Sequence, residues 1–253
     1  MIFLKPLLKV NNYIKWKQSS NYHLFKNQKI VSYSLVKKQG HCNINYHLKT
    51  SQKEYLIRKF KYNNQREAEF KIQNIAYKKS LSAKALILDK ANNLMICEFI
   101  EGVHHYKLTQ QKLKQLALTL KKLHSIKIQQ QPNTLKRNFK PKHKKVHDAF
   151  QVINSFKPEY VLGHNDLHPR NILFGKKIKF IDWEYAGKTD KYFDLVAIII
   201  EFKLNRKDET TFLHSYFSKK TINYKKLEAF KIVYIALWRE WFGKLDRGQI
   251  STI

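Results

Sequence analysis

Three polar residues on one short segment have the types and the spacing that phosphoryl transfer requires. The segment VLGHNDLHPRN contains His164, Asp166 and Asn171 in the pattern H-x-D-x-x-x-x-N. A second apolar segment, IKFIDWEY, then reaches Asp182. One carboxylate can orient and deprotonate an attacking hydroxyl, while an amide oxygen and another carboxylate hold the Mg²⁺ that bridges the phosphates. The spacing therefore predicts a phosphoryl-transfer site.

Three other interpretations of this segment are weaker. A metal cluster of His164, Asp166 and His168 lacks a further ligand group nearby. A glycosidase-like pair of Asp166 and Asp182 leaves Asn171 unexplained. A purely structural polar loop explains neither the flanking strands nor the joint fit of the four positions.

The phosphoryl-transfer interpretation gives each residue a role. We expect Asp166 to orient and deprotonate the acceptor hydroxyl, and Asn171 and Asp182 to bind Mg²⁺. Glu184, two positions after Asp182, is expected to help through the waters of the metal. His164 is expected to brace the loop rather than to react.

The first hundred residues have the pattern of a small sheet with one helix. Apolar residues alternate from Lys29 to Phe60 in three runs, which predicts three antiparallel strands. Residues Asn63–Lys79 have apolar positions at helical spacing, and the runs AKALILD and NLMICEFIEG predict two more strands. This unit ends near Gly102.

The pattern after Gly102 is mainly helical. Thr109–Ile126 has a stripe of leucines behind a plausible cap, Thr109, and residues 127–145 form a predicted loop or linker. Further predicted elements are a helix at 147–155, a polar loop at 163–171, strands at ILF and IKFID, and helices at 191–204, 207–218 and 222–243.

Several of these motifs resemble one enzyme group. HNDLHPRNIL, FIDWEY and YFDL are similar to segments of the choline kinase, thiamine kinase and aminoglycoside phosphotransferase group, and the resemblance covers nearly the whole chain. It implies an α+β, two-lobed, protein-kinase-like fold with an N-terminal nucleotide-binding lobe at 1–100 and a C-terminal catalytic and substrate-binding lobe at 101–253. It also implies an ATP- and Mg²⁺-dependent phosphotransferase with an alcohol acceptor.

The same resemblance implies a nucleotide site between the lobes. GHCNINY is similar to the group's G-x-x-N-x-x-Y loop, although it has one glycine rather than several, which predicts a looser closure over ATP. Arg58 in LIRKF would steady the phosphates, paired with a glutamate of the following helix. Sequence does not decide between Glu67 and Glu69, and we favour Glu69. The implied nucleotide-site residues are Gly40, Asn43, Arg58, Glu69, Glu98, Phe99 and Ile100.

The sequence indicates the identity of the acceptor less clearly than the reaction type. The chain has 49 Lys and Arg against 19 Asp and Glu, a formal charge of +30 that would repel polycationic aminoglycosides. A monocationic alcohol such as thiamine or choline needs aromatic faces and one or two carboxylates. The candidate aromatic residues are Trp183, Tyr185, Trp238 and Trp241, and the candidate carboxylates are Glu184, Asp194 and Glu240. IDWEYAG resembles the thiamine kinase version of the motif more than the aminoglycoside one, and this resemblance implies thiamine rather than choline. Trp238 and Trp241 also fit ordinary core packing.

The net charge has two interpretations. It predicts nonspecific attraction of nucleic acid or an anionic membrane surface, and it keeps two alternative functions open: phosphorylation of an anionic sugar or lipid, and a non-catalytic binder on a kinase-like scaffold. Lysines are instead scattered through every segment, without interleaved aromatic stacking motifs. This scatter favours compositional bias.

The remaining features predict a cytoplasmic protein. Cys42 and Cys97 lie within apolar or β-branched runs and are expected to be buried thiols in a reducing compartment. The segment MIFLKPLLKV lacks the pattern of a secretory signal, and the longest uncharged apolar run, Leu195–Ile200, is far shorter than the ~20 residues of a membrane span.

Overall fold

The structure, a computed structural model, describes residues 22–37, 39, 43–61, 66–132 and 143–246, with the backbone alone for 241–246. Gly40, Cys42, the Trp241 side chain and most of the predicted 127–145 linker lie outside these residues or side chains. Within the described residues, no helix is long and apolar enough to cross a membrane.

The first half forms a five-stranded antiparallel sheet with one helix. The strands have the order β1-β2-β3-β5-β4. Their bounds are β1 (Ile30–Leu35), β2 (Asn43–Thr50), β3 (Glu54–Phe60), β4 (Ala85–Asp89) and β5 (Leu94–Glu98), and the helix between β3 and β4 is α1 (Arg66–Lys78). Alternating buried residues along β2 and β3 explain why these segments form strands, because one face of the sheet is apolar. The five predicted strands and the predicted helix are confirmed.

The second half is mainly helical. Its helices are α2 (Gln110–His124), α3 (Lys144–Asn154), α4 (Lys191–Glu201), α5 (Arg206–Phe217) and α6 (Tyr224–Asp246). The Thr109 hydroxyl accepts a hydrogen bond from the Lys112 amide at 3.3 Å and caps α2. The leucine stripe of α2 is fully buried in a core shared with α4, α5 and α6. The predicted helix and its cap are confirmed.

Two short antiparallel strand pairs lie between α3 and α4 and position the segment that carries Asp166 and Asn171. Strand β6 (Tyr160–Gly163) pairs with β9 (Gly187–Asp190), and β7 (Ile172–Leu173) pairs with β8 (Lys179–Phe180). The β6–β9 pair was not predicted, because both strands are short and β9 is polar. The predicted polar loop at 163–171 lies between β6 and β7, and Pro169–Asn171 form a 3₁₀ turn within it. Helix α3 begins at Lys144, inside the predicted linker.

Candidate active site

The segment that carries Asp166 is fixed at its start by a buried carboxylate. Asp194 on α4 accepts hydrogen bonds from the amides of His164 at 2.7 Å and Asn165 at 2.8 Å. Asn165 has a left-handed φ of 65°, which the two bonds to Asp194 help to hold. A Cβ on Gly163 would lie 2.3 Å from Thr189 Cγ2, so only glycine fits before this turn.

Asp194 is itself held by a second buried pair. His124 on α2 lies 3.1 Å from Asp194 through Nε2, and its Nδ1 lies 2.7 Å from the Tyr216 hydroxyl on α5. The hydrogen bonds from His124 and from the loop keep the pKa of Asp194 below its usual value despite burial. Asp194 is 0% exposed, so it is an anchor of the loop and not an acceptor-facing carboxylate as predicted.

Asp166 and Asn171 are in direct contact. The Asn171 Nδ2 amide donates to the Asp166 carbonyl at 2.9 Å and to Asp166 Oδ2 at 2.7 Å. Burial, followed by repulsion from Asp182 and Glu184, raises the pKa of Asp166 to about 7. A carboxylate with that pKa is suited to accept a proton near neutral pH.

His164 links the two parts of the site. It is 0% exposed, and its Nε2 donates to the Ile181 carbonyl at 3.0 Å, next to Asp182. Burial lowers its pKa, so the ring is neutral at neutral pH. The ring therefore braces the loop against the strand that leads to Asp182.

Arg58 joins the five-stranded sheet to Asp182. Its Nη1 contacts Glu69 of α1, and its Nη2 lies 2.5 Å from Asp182 Oδ1. Arg58 and Glu69 are 5% and 2% exposed, so this is a largely buried set of charges. Glu67 pairs with Lys90 at the surface instead. Asp182 has a left-handed φ of 64°, an unusual backbone geometry of the kind that clusters at functional sites.

A second arginine neutralises the remaining acids. Arg66 Nη1 donates to Glu69 Oε2 at 2.7 Å and to Glu184 Oε2 at 3.0 Å, and its Nη2 lies 3.4 Å from Asn43 Oδ1. Its guanidinium carbon lies 4.2 Å from the centre of the Phe60 ring. Burial and repulsion from Asp182 raise the pKa of Glu184.

This acidic cluster suits a hard cation. Glu69, Asp182 and Glu184 pair with two arginines, and Asp166 lies close enough to Asp182 and Glu184 for their charges to raise its pKa. Hard oxygen donors of this kind are the ligands that Mg²⁺ prefers. The described residues contain no group of three or more His, Cys, Asp or Glu side chains arranged to hold a metal. Mg²⁺ commonly takes only one or two protein carboxylates and completes its shell with phosphate and water. His168 Nε2 lies 3.8 Å from Asp166 Oδ2.

The predicted hinge follows β5. The Phe99 amide donates to the Glu54 carbonyl at 3.0 Å, and the Glu98 amide to the Lys84 carbonyl at 2.9 Å. The Phe99 ring stacks on His47 with 4.0 Å between ring centres. These three contacts fix Glu98 and Phe99 at the end of the sheet.

The predicted acceptor aromatics divide into two groups. Trp183 is 1% exposed, its Nε1 donates to the Phe180 carbonyl at 3.2 Å, and its ring packs against His164, so the prediction that it contacts the acceptor is wrong. Tyr185 and Trp238 are half-buried. The Tyr185 carbonyl accepts a hydrogen bond from Asn165 Nδ2 at 2.9 Å.

Two further residues belong to this region and were missed. The Tyr234 hydroxyl donates to Glu201 Oε1 at 3.1 Å, and the Tyr234 ring packs edge to face with Trp238. Glu201 contributes to the raised pKa of Asp166, and Asp166 in turn to that of Tyr234, so these groups are close enough to interact electrostatically. The helical spacing of Tyr234 and Trp238 on α6 was the available signal.

Comparison with known proteins agrees with this geometry. Residues 136–241 match the family model described as choline/ethanolamine kinase. A LicA homologue of Mycoplasma capricolum is 28% identical over 136 residues, which are 48% of this chain and 57% of that protein. A LicA homologue of Metamycoplasma hominis is 32% identical over 136 residues, 47% of this chain and 55% of the relative. The chain thus spans about half the length of the curated relatives it matches.

Solved structures match over nearly the whole chain. Choline kinase LicA from Streptococcus pneumoniae has a TM-score of 0.73 and 20% identity, covering 96% of this chain and 93% of its own. Spectinomycin phosphotransferase APH(9)-Ia has a TM-score of 0.64 and 16% identity, covering 86% and 85%. The protein therefore has the predicted α+β, protein-kinase-like fold, and residues 136–241 match the choline/ethanolamine kinase family model.

Proposed function

We propose that the protein transfers the γ-phosphate of ATP to the hydroxyl of a small cationic alcohol. The observation that carries this proposal is that the loop with Asp166 and Asn171 meets Asp182, which in turn pairs with Arg58 from the sheet. Phosphoryl transfer needs a base for the hydroxyl, oxygen ligands for a metal and a cation for the phosphates, and these four residues supply them. The match to the choline/ethanolamine kinase family model supports the same reaction class.

In this proposal Asp166 accepts the proton of the acceptor hydroxyl as the oxygen attacks phosphorus. Its pKa of about 7 lets it be a carboxylate at neutral pH while it remains basic enough to take the proton. Asn171 fixes the carboxylate through Oδ2, so that Oδ1 is the oxygen left to face the hydroxyl. Orientation of this kind lowers the barrier because the reacting atoms are held in line.

The metal and phosphate contacts follow from the acidic cluster. Asp182 and the Asn171 amide oxygen would hold Mg²⁺, with Glu184 acting through its waters. When bound, the ion would neutralise charge on the β- and γ-phosphates. Arg58, held by Glu69, would contact the α- and β-phosphates. Gly40, Asn43 and the hinge residues Glu98, Phe99 and Ile100 complete the proposed nucleotide site between an N-terminal lobe at 1–100 and a C-terminal lobe at 101–253.

The acceptor class is proposed from the chemistry around Asp166. Glu201 and the half-buried Trp238 offer one carboxylate and one aromatic ring, which suit a quaternary or primary ammonium group, while the buried Tyr234 holds the Glu201 carboxylate through its hydroxyl. Tyr185 and Trp241 remain proposed acceptor contacts, whereas Trp183 and Asp194 are buried. The family match favours choline or ethanolamine over thiamine as the first acceptor to test. A cytoplasmic location is part of the proposal because the reaction consumes ATP.

One panel of acceptor compounds tests the proposal. The purified full chain is incubated with Mg·ATP and, separately, with choline, ethanolamine, thiamine, kanamycin and an anionic sugar acid, and formation of ADP and phosphorylated acceptor is measured. We expect turnover with choline or ethanolamine. Turnover with kanamycin or with the sugar acid alone would overturn the acceptor class, and absence of turnover with every compound would overturn the kinase assignment for these acceptors. The D166N variant controls for contaminating kinases.

A further inference from the structure

Residues 102–104, which follow the hinge Glu98–Ile100, contact the segment that carries Asp166 and Asn171. The amide of Val103 donates to the Phe174 carbonyl at 2.9 Å, and the Phe174 amide donates back to Val103 at 3.0 Å. Gly102 lies so close to strand β7 that a Cβ on residue 102 would be 2.9 Å from Leu173 Cβ. Residues 102–104 therefore lie directly along β7, immediately after the turn that contains Asn171.

His104 extends this attachment to the turn itself. Its Nδ1 lies 3.2 Å from the Pro169 carbonyl oxygen and 3.0 Å from the Ile172 carbonyl oxygen. Carbonyl oxygens only accept hydrogen bonds, so Nδ1 must carry the proton that both oxygens share. The tautomer of His104 is thereby fixed by its contacts, whichever state Nε2 adopts.

The two carbonyls enclose Asn171 on both sides. Pro169 is the first residue of the 3₁₀ turn Pro169–Asn171 and Ile172 directly follows it. The Asn171 backbone amide closes the turn by donating to the His168 carbonyl at 2.9 Å. One donor that holds both ends of a turn restricts the backbone angles between them. The side chain of Asn171 must reach Asp166 from this backbone, so its direction depends on the turn.

We propose that His104 is a positioning residue: its Nδ1–H clamps the two carbonyls around Asn171 and so sets the direction of the Asn171 side chain. The inference rests on the proposed function for its kinetic consequence. Among the described residues, the hydrogen bonds of His104 go to the backbone of the turn and not to Asp166 or the acidic cluster, so its effect is transmitted through that backbone. It also couples the hinge segment to the catalytic segment, because His104 follows Gly102 and Val103 directly.

The chemistry of the side chain gives a sharp test. The amide nitrogen of an asparagine reaches nearly the same position as Nδ1, whereas the amide of a glutamine reaches further. H104N therefore keeps the donor, while H104Q and H104A lose it. His105 is the matched control, since its ring packs edge to face on Phe174 at 5.0 Å and has no such bond to the turn.

Kinetic and spectroscopic measurements on the full chain decide the question. We expect H104A and H104Q to lower kcat by about tenfold or more, because a small misplacement of a catalytic group is costly, with little change in the KM for ATP. H104N should recover most of the wild-type kcat, and H105A should match the wild type. Equal losses in H104N and H104A, or an equal loss in H105A, would overturn the proposal.

A readout without turnover separates this inference from the proposed function. In protein labelled with ¹⁵N-histidine, the signal assigned to His104 by its loss in H104N should show a protonated Nδ1. Hydrogen exchange at the backbone amide of Asn171 should be faster in H104A and H104Q than in H104N. An unprotonated Nδ1, or unchanged exchange in all variants, would overturn the inference. If the wild type phosphorylates no acceptor, the proposed function fails while these two measurements still decide the role of His104.

Discussion

Asn171 binds both the main chain and the side chain of Asp166 through a single amide nitrogen. Both partners are oxygen atoms that accept, at 2.9 and 2.7 Å, so the Nδ2 side of the amide must face Asp166. The Asn171 amide oxygen is therefore directed away from Asp166. One residue can in this way orient the proposed base and still offer an oxygen to a metal.

Loss of Asn171 should impair catalysis and metal use together. In N171A we expect kcat to fall by about 10²-fold, because the Asp166 carboxylate loses its orienting bond. The Mg²⁺ concentration for half-maximal rate should also rise, since one oxygen ligand is gone. Both effects are measured by Mg²⁺ titration of initial rates. N154A, at the exposed end of α3, is the control. An unchanged Mg²⁺ dependence would exclude Asn171 as a ligand.

Loss of the Asp166 carboxylate should affect the chemical step alone. We expect D166N to reduce kcat by about 10³-fold, within the range for removal of a general base. Nucleotide affinity, measured by calorimetry with a non-hydrolysable ATP analogue, should stay near the wild-type value because Arg58 is untouched. D148N on the surface of α3, where Asp148 pairs with Lys144, is the control. Near-normal turnover in D166N would contradict the proposed role.

The rate should depend on pH through Asp166. Its pKa is raised to about 7, and only the deprotonated form can accept a proton, so kcat/KM should fall as the pH drops below about 7. Glu184 is one of the negative groups that raise this pKa. In E184Q the acidic limb should therefore move to lower pH, whatever happens to the absolute rate. The measurement is a pH profile of kcat/KM for both proteins, with E228Q as an exposed control. A limb that moves to higher pH in E184Q would contradict the electrostatic assignment.

The sequence predicts an element correctly where residue spacing alone determines the structure. Alternation predicted β2 and β3, and the leucine stripe predicted α2, because burial of one face imposes the period of the element. The H-x-D-x-x-x-x-N pattern brought Asp166 and Asn171 onto one loop, and they are in contact. Local spacing therefore identified the part of the site that is close in sequence.

Sequence could not show where a side chain points once the backbone is irregular. Asp182 has a left-handed φ, after which the Trp183 ring turns into the core instead of towards the cleft. Glu201 was missed because it ends an apolar helix and no motif connects it to Asp166. Its relation to Tyr234 depends on how α4 packs against α6, which is a tertiary property.

Removal of the charge on Asp194 should lower the stability of the mainly helical second half of the protein. In D194N, one buried oxygen acceptor is replaced by an amide that cannot satisfy His124 and the two loop amides together. We expect a loss of about 3 kcal/mol in the free energy of unfolding, as for a broken buried ion pair. Urea denaturation measures it, and D148N, whose carboxylate pairs with Lys144 on the surface of α3, is the control. A loss no larger than that of D148N would show that Asp194 does not anchor the loop.

The charge preference of the acceptor site should depend on Glu201. Its carboxylate is the negative group that the Tyr234 hydroxyl holds near Asp166, and a cationic acceptor gains from it whereas a neutral one does not. Choline and its uncharged isostere 3,3-dimethylbutan-1-ol differ in that charge alone. We expect the ratio of their kcat/KM values to fall by about tenfold in E201Q, equivalent to about 1.4 kcal/mol. W238A should reduce the same ratio through the loss of a cation–π contact. E228Q keeps the wild-type ratio because Glu228 pairs with Lys231 at the surface. Equal losses for both alcohols in E201Q would mean that Glu201 acts on Asp166 or on the fold and does not recognise the acceptor charge.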